Sequence, residues 1–256
     1  MKQKPFYKQI ASAYLGIFFP PKCPCCGDVL APGYAYCDVC EPQLPRIEGE
    51  ICLVCGAGKK VCDCGKKAKL YDACVAAFYH TDGIRQGLLR FKYEERLSAA
   101  DVFAAEMANT VRERLADTGF DFVTFVPMSK KEYKSRGYYP ARILAQKVAE
   151  ELELPCETLL TKIVETPPQR TLRIRERQGN VLGVFDALEP ALIYNKTVLL
   201  CDDVSTTGAT LNECAKMLKI AGAKAVYAVC IAKTALESKL DNAKTEIDQI
   251  LDEEQP

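Results

Sequence analysis

Val198-Leu199-Leu200-Cys201-Asp202-Asp203-Val204-Ser205-Thr206-Thr207-Gly208-Ala209-Thr210 runs from an apolar stretch into two carboxylates, then into a turn rich in hydroxyls and glycine. Val198 to Leu200 read as a buried parallel strand. Leu211 to Ala221 follow with helical spacing, Leu211, Ala215, Leu218 and Ile220 forming one apolar face and Gly222 a left-handed stop. The turn between them therefore sits at a helix N-terminus on the carboxyl edge of a sheet, where unpaired amides and the positive end of the helix dipole gather. Ser205, Thr206, Thr207 and Thr210 add hydroxyl donors, and Gly208 lets the backbone approach an anion closely. A phosphate monoester fits that cradle. Asp202 and Asp203 would repel a phosphate but suit hydroxyl groups or a magnesium ion.

The surrounding sequence has the same alternation. Cys74 to His80, Phe122 to Met128 and Ala225 to Ala232 read as further strands. Ile84 to Tyr93, Leu97 to Leu115 and Pro140 to Leu152 read as helices, the last with Pro140 in its first turn. This order predicts an α/β domain with a mostly parallel sheet flanked by helices, whose ligands bind beyond the carboxyl ends of the strands. A second loop reaches that edge, Ser129 to Tyr138, in which Lys130, Lys131, Lys134 and Arg136 face the single anion Glu132. A second basic stretch runs from Gln169 through Arg170, Arg173, Arg175 and Arg177 to Asn180. Neither a Walker A motif nor a Gly-x-Gly-x-x-Gly fingerprint is present; Gly56-Ala57-Gly58-Lys59-Lys60 lacks the spacing and the terminal Ser or Thr.

Nine of the fourteen cysteines lie between residues 23 and 64. Cys23-x-x-Cys26 with Cys37-x-x-Cys40 makes one pair of knuckles, and Cys52-x-x-Cys55 with Cys62-x-Cys64 a second, shorter by one residue. Four soft thiolates in tetrahedral array favour zinc. One or two zinc ions satisfy the pattern, and so do sequential and interleaved ligand pairings. Cys25 reads as a spectator. Residues 20–66 contain few large apolar side chains, so the metal is expected to stand in for a hydrophobic core. Cys74, Cys156, Cys201, Cys214 and Cys230 fall in apolar segments and read as small core residues without a histidine partner, since His80 is the lone histidine.

The 256 residues suffice for one domain of ordinary size and a small appendage. Lys plus Arg equals Asp plus Glu at 34 each, so any polyanion partner must be recognised by local charge. Ile10 to Phe19 is an apolar run behind three lysines, too short to span a bilayer and followed by Pro20-Pro21 rather than a cleavage site. A packed N-terminal helix over 1–19 and a cytoplasmic location are expected, which favours metal thiolates over disulfides. Residues 234–256 carry an apolar stripe, Leu236, Leu240, Ala243, Ile247 and Leu251, on a charged helix expected to dock on the domain.

Residues 198–210 resemble the phosphoribosyl pyrophosphate (PRPP) loop of type I phosphoribosyltransferases. From about residue 15 to about residue 234 the chain resembles the ComF family, competence-associated proteins with a zinc ribbon before a phosphoribosyltransferase-like domain. The resemblance implies a cysteine-rich module over 20–68 and a phosphoribosyltransferase-like domain over 69–233. It implies PRPP and magnesium as ligands, with Ser205, Thr206, Thr207, Gly208, Ala209 and Thr210 around the 5-phosphate and Asp202 and Asp203 as catalytic carboxylates on the ribose. Ser129, Lys130, Lys131 and Arg136 match the pyrophosphate-binding segment. Gln169, Leu172, Arg177 and Asn180, with Arg170 beside them, match a flexible loop that closes over substrate, and Lys92 matches a family lysine. The chain departs from the family at Tyr138-Tyr139-Pro140, where a Phe-Asn-Gln-like continuation is usual, and it shows no acceptor-base pocket. Two functions are expected. One is binding of PRPP or a ribose 5-phosphate group with magnesium and glycosyl transfer from it, in DNA uptake or in nucleotide metabolism. The other is a binding module that holds single-stranded DNA during uptake, using the basic stretches and Tyr133, Tyr138 and Tyr139, alone or with proteins of the competence machinery. Both a monomer and an oligomer fit the sequence.

Overall fold

The computed structural model describes residues 20–65, 68–93, 98–163 and 184–235. The expected helices over 1–19 and, past Ala235, over 234–256 lie outside them, as do Gln169, Arg170, Leu172, Arg177 and Asn180.

Four strands form the central sheet: β1 (Ala73–Tyr79), β2 (Phe122–Phe125), β5 (Thr197–Ser205) and β6 (Ala225–Lys233). All pair in parallel, in the order β1-β6-β5-β2. A separate antiparallel pair joins β3 (Leu160–Lys162) to β4 (Phe185–Ala187). The helices are α1 (Asp82–Tyr93), α2 (Ser98–Arg114), α3 (Lys130–Arg136), α4 (Pro140–Leu152), α5 (Pro190–Ile193) and α6 (Ala209–Ile220).

The period-two alternation of β5 shows why the sheet is covered twice. Leu199 and Cys201 join one apolar cluster with Phe103, Met107, Leu144 and Val148 of α2 and α4. Val198 and Leu200 point the other way, onto Leu211, Cys214 and Leu218 of α6. Ile220, expected on the buried face of α6, is instead 68% exposed, because the last turn rotates it off the stripe set by Leu211, Ala215 and Leu218. Gly222 does take the left-handed conformation, at φ 92°. Strand β2 ends at Phe125, earlier than Met128. Ser129 to Arg136 is a capped helix rather than a loop: Ser129 Oγ accepts from the Glu132 amide while the Glu132 carboxylate accepts from the Ser129 amide.

The cysteine module shares the core of the α/β domain. Cys23, Cys25, Leu30 and Tyr36 pack into the cluster holding Phe91 and Phe103. Gly87 in α1 permits this approach, since a Cβ there would stand 2.5 Å from the Pro24 carbonyl oxygen. Ile47, Cys55, Ala57 and Val61 pack on the opposite cluster with Tyr71, Cys74 and Tyr79. Between the two, Ile47 N donates to Ala77 O (3.0 Å) and Tyr79 N to Pro45 O (2.7 Å), so Pro45–Ile47 covers the free edge of β1. Arg46 holds this segment down, with both guanidinium nitrogens on Glu106 (2.7 and 3.1 Å) and its plane over the Phe78 ring. The expected replacement of a core by metal is therefore only part of what holds the module.

Leu199→Ala opens a cavity in the middle of the sheet and is expected to destabilise the protein by about 2–5 kcal/mol. Urea unfolding, with an unchanged denaturant slope, measures the loss.

Candidate functional site: the carboxyl edge of the sheet

Strand β5 continues through both carboxylates to Ser205, so Asp202 and Asp203 belong to the strand end itself. Their partly buried side chains need partners. Lys92 of α1 supplies one, its Nζ 2.7 Å from Asp203 Oδ2. Asp202 Oδ1 accepts from the Asp203 amide (2.9 Å). Burial and the neighbouring Asp203 charge push the Asp202 carboxyl up to about 8. Asp202 thus holds its proton more tightly than an ordinary carboxyl, while Asp203 is ion-paired with Lys92. Beside them His80 follows β1, and burial together with Lys92 and Arg85 pushes its imidazole down.

The hydroxyl-rich turn is open on one side. Thr206, Thr207, Ala209 and Thr210 are exposed, Ser205 and Gly208 buried. Gly208, at φ 71°, caps α6, a conformation that glycine adopts without strain. The turn is held from beneath: Lys233 Nζ, buried at the end of β6, donates to Thr206 O, Lys69 Nζ to Thr207 O (3.1 Å), and the Thr234 amide to Ser205 O (3.0 Å). Within the turn the Ala209 amide donates to Thr207 Oγ1 (3.3 Å).

Pairing of Phe125 with Cys201, and the bond from Val126 N to Cys201 O (3.0 Å), bring the segment after β2 alongside Asp202. Tyr139 braces it, its hydroxyl accepting from the Met128 amide and its ring standing edge-on to Phe125. Ser129 is buried and occupied as the cap of α3, whereas Lys130 and Lys131 are exposed and Arg136 is half-buried. Lys162 of β3 reaches Glu132 of α3 (3.1 Å), tying the small hairpin to the basic helix. Tyr138 donates its hydroxyl to Phe91 O and packs on the Phe91 ring. Of the three tyrosines expected to offer stacking faces, Tyr133 is half exposed, at 50%; Tyr138 and Tyr139 are engaged in the fold.

The two cysteine quartets assemble sequentially, not interleaved. The Sγ atoms of Cys23, Cys26, Cys37 and Cys40 lie within 4.8 Å of one another, and so do those of Cys52, Cys55, Cys62 and Cys64. Four sulfurs each about 2.3 Å from a zinc ion sit about 3.8 Å apart. The contacts Cys26–Cys37 (3.6 Å), Cys55–Cys62 (3.5 Å) and Cys52–Cys64 (3.9 Å) match that edge. The short Cys62-x-Cys64 knuckle closes at 3.5 Å. Cys25 is buried outside the first quartet and faces α1 near Gly83. Cys74, Cys201, Cys214 and Cys230 are core residues, and Cys156 is half-buried beside β2.

His80, Lys233, Tyr139 and the Glu132–Lys162 pair carry no motif in the sequence. His80 and Lys233 could have been found from position alone, as titratable residues ending the apolar strands β1 and β6 at the ligand edge.

The chain thus joins two zinc ribbons to a parallel α/β domain with a phosphate-type turn, and known proteins have the same build. A double zinc ribbon domain matches residues 14–75, and a phosphoribosyl transferase domain matches residues 134–255. Competence protein ComFC of Bacillus subtilis is 26% identical over 200 residues, covering 74% of this chain and 80% of that protein. Competence protein F of Haemophilus influenzae is 24% identical over 227 residues, with 84% and 98% covered. DNA utilization protein YhgH of Escherichia coli K12 is 25% identical over 225 residues, with 84% and 98% covered. Over most of its length the chain is similar to these competence and DNA utilization proteins, with a double zinc ribbon domain ahead of a phosphoribosyl transferase domain.

Zinc analysis of the purified protein is expected to find two equivalents, and Cys37→Ser or Cys62→Ser to remove one each. The Asp202 carboxyl makes a second test. The folded chain holds its proton where the unfolded chain has lost it. This group's stabilisation is therefore complete below about pH 4 and falls by up to about 1.4 kcal/mol per pH unit as pH rises towards 8. Denaturant unfolding between pH 5 and 8 should show that slope, and Asp202→Asn should flatten it.

Proposed function

We propose that the protein binds PRPP, or another ribose 5-phosphate ligand, with magnesium at the carboxyl edge of the sheet. The observation that carries this reading is the continuity of β5 into Asp202 and Asp203 and then into the open turn 206–210 above α6. In this reading residues 69–233 form the ligand-binding domain. Thr206 to Thr210 hold the 5-phosphate through outward amides and hydroxyls. Asp202 and Asp203 take the ribose hydroxyls, directly or through magnesium, which also offsets pyrophosphate charge. Lys130, Lys131 and Arg136 face the pyrophosphate from the neighbouring strand end. Ser129 contributes by capping α3 and so presenting those cations. Gln169, Arg170, Arg177 and Asn180 are the residues proposed to close over the ligand.

The chemistry that follows is glycosyl transfer. Loss of pyrophosphate leaves an oxocarbenium-like ribose, which the carboxylates stabilise while an acceptor attacks. The chain must ionise Asp202 for that role. Asp202 and Asp203 would hold a magnesium ion, which would supply charge to offset the pyrophosphate, and Lys92 pairs with Asp203 in its absence.

A second reading rests on the exposed cations Lys130 and Lys131 beside the exposed ring of Tyr133, and on the relatives named for competence and DNA utilization. Here the same edge holds single-stranded DNA by its phosphates. The two readings share the anion site.

PRPP with magnesium should raise the melting temperature, and Asp202→Asn combined with Asp203→Asn should abolish the rise. No rise in the parent protein would refute the ligand. DNA binding should weaken steeply with salt and lose most of that dependence when Lys130, Lys131 and the arginines between 170 and 177 become alanine; binding indifferent to both would refute the second reading.

A further inference from the structure

The segment leaving the second zinc ribbon runs directly beneath the phosphate turn. Leu53 and Val54 are the two residues inside the Cys52-x-x-Cys55 knuckle, and both of their carbonyls are bonded to the start of the α/β domain. Leu53 O accepts from the Cys74 amide (2.7 Å) and Val54 O from the Tyr71 hydroxyl (2.8 Å). Tyr71 is 5% exposed, and its hydroxyl oxygen stands 2.7 Å from where a Cβ on Gly208 would be. The phenol is thus wedged between the metal knuckle and the left-handed cap of α6. Just before it in the chain, Lys69 Nζ reaches Thr207 O (3.1 Å), and the Leu70 amide donates to Asn212 Oδ1 (2.8 Å) in the first turn of α6. Three consecutive linker residues therefore touch the turn or the helix it opens.

We propose that Tyr71 is a positioning residue through which the second zinc ribbon sets the conformation of the phosphate turn, so that an intact Cys52/Cys55/Cys62/Cys64 centre is required for tight binding of a 5-phosphate. This rests on the reading of 205–210 as the phosphate turn. The zinc-ordered knuckle fixes where Val54 O points, that carbonyl fixes the phenol, and the phenol fixes how closely Gly208 and its neighbours can settle against the domain. Burial raises the Tyr71 hydroxyl well above its ordinary range, so it remains a donor across the working pH range. Gly208 is needed twice, for its left-handed backbone and for the space that Tyr71 occupies.

The test compares full-length, zinc-loaded wild type with Tyr71→Phe, which keeps the ring and loses the bond to Val54. Hydrogen exchange of the amides of 205–212 should accelerate in the variant while its zinc content stays at two equivalents. Titration with PRPP and magnesium should show affinity weakened about fivefold or more. Arg46→Gln, which loosens the module at its other anchor, should leave both readings as in wild type; an equal effect there would reduce the coupling to general stability and overturn it. Unchanged exchange and affinity in Tyr71→Phe would also overturn it. Failure of wild type to bind PRPP would overturn the ligand reading alone, and the exchange comparison would then decide the coupling by itself.

Discussion

The parallel pairing of β5 with β6, in register from Thr197 opposite Ala225 to Ser205 opposite Lys233, is the constraint from which the remainder follows. Val198 to Cys201 and Ala228 to Ala232 are apolar and fully buried, with alternate residues in opposite layers, so neither strand can shift by one position without moving a whole set of side chains into the wrong layer. Fixing the register fixes the ends. Asp202 and Asp203 must emerge where β5 outruns its neighbour β2, and Lys233 must end level with Ser205. Burying part of a carboxylate pair is costly unless the charges are answered. The structure answers Asp203 with Lys92, while burial and the Asp203 charge push the Asp202 carboxyl up.

The zinc ribbons extend this frame. Each buries its own residues on one face of the sheet, and the strand-like linker between them closes the edge of β1. Metal binding in such modules is coupled to folding, because the sulfur geometry exists only when the knuckles are formed. The two knuckle carbonyls bonded to Tyr71 and the Cys74 amide carry that geometry into the first strand of the sheet. The ribbons are thereby part of the edge that forms the site.

Much of this was legible in the sequence where local pattern and burial agree. The apolar runs of β1, β5 and β6, the Pro140 start of α4 and the glycine stop at Gly222 were each determined within a few residues. The α3 helix has a local signal in the capping box of Ser129 and Glu132, but the four cations of the same stretch equally suit a solvated anion-binding loop. Ile220 falls off the stripe because, at about 100° per residue, it lies on the side of the helix opposite Leu211. The pairing of the cysteine quartets could not be read at all, since both arrangements satisfy the count and only the packing of the knuckles separates them. His80, Lys233 and Tyr71 escaped for a different reason. Each acts through a contact distant in sequence, and a single residue has no periodicity.

The central claim is that the turn after β5 holds a phosphate on a ribose whose hydroxyls meet Asp202 and Asp203. A crystal structure of the zinc-loaded protein with PRPP and magnesium tests it most directly. The account predicts the 5-phosphate within hydrogen-bond reach of the amides of Thr206 to Thr210, with the ribose over the two aspartates and the pyrophosphate towards Lys130 and Lys131. A ligand bound elsewhere, or a 5-phosphate turned away from that turn, would contradict it.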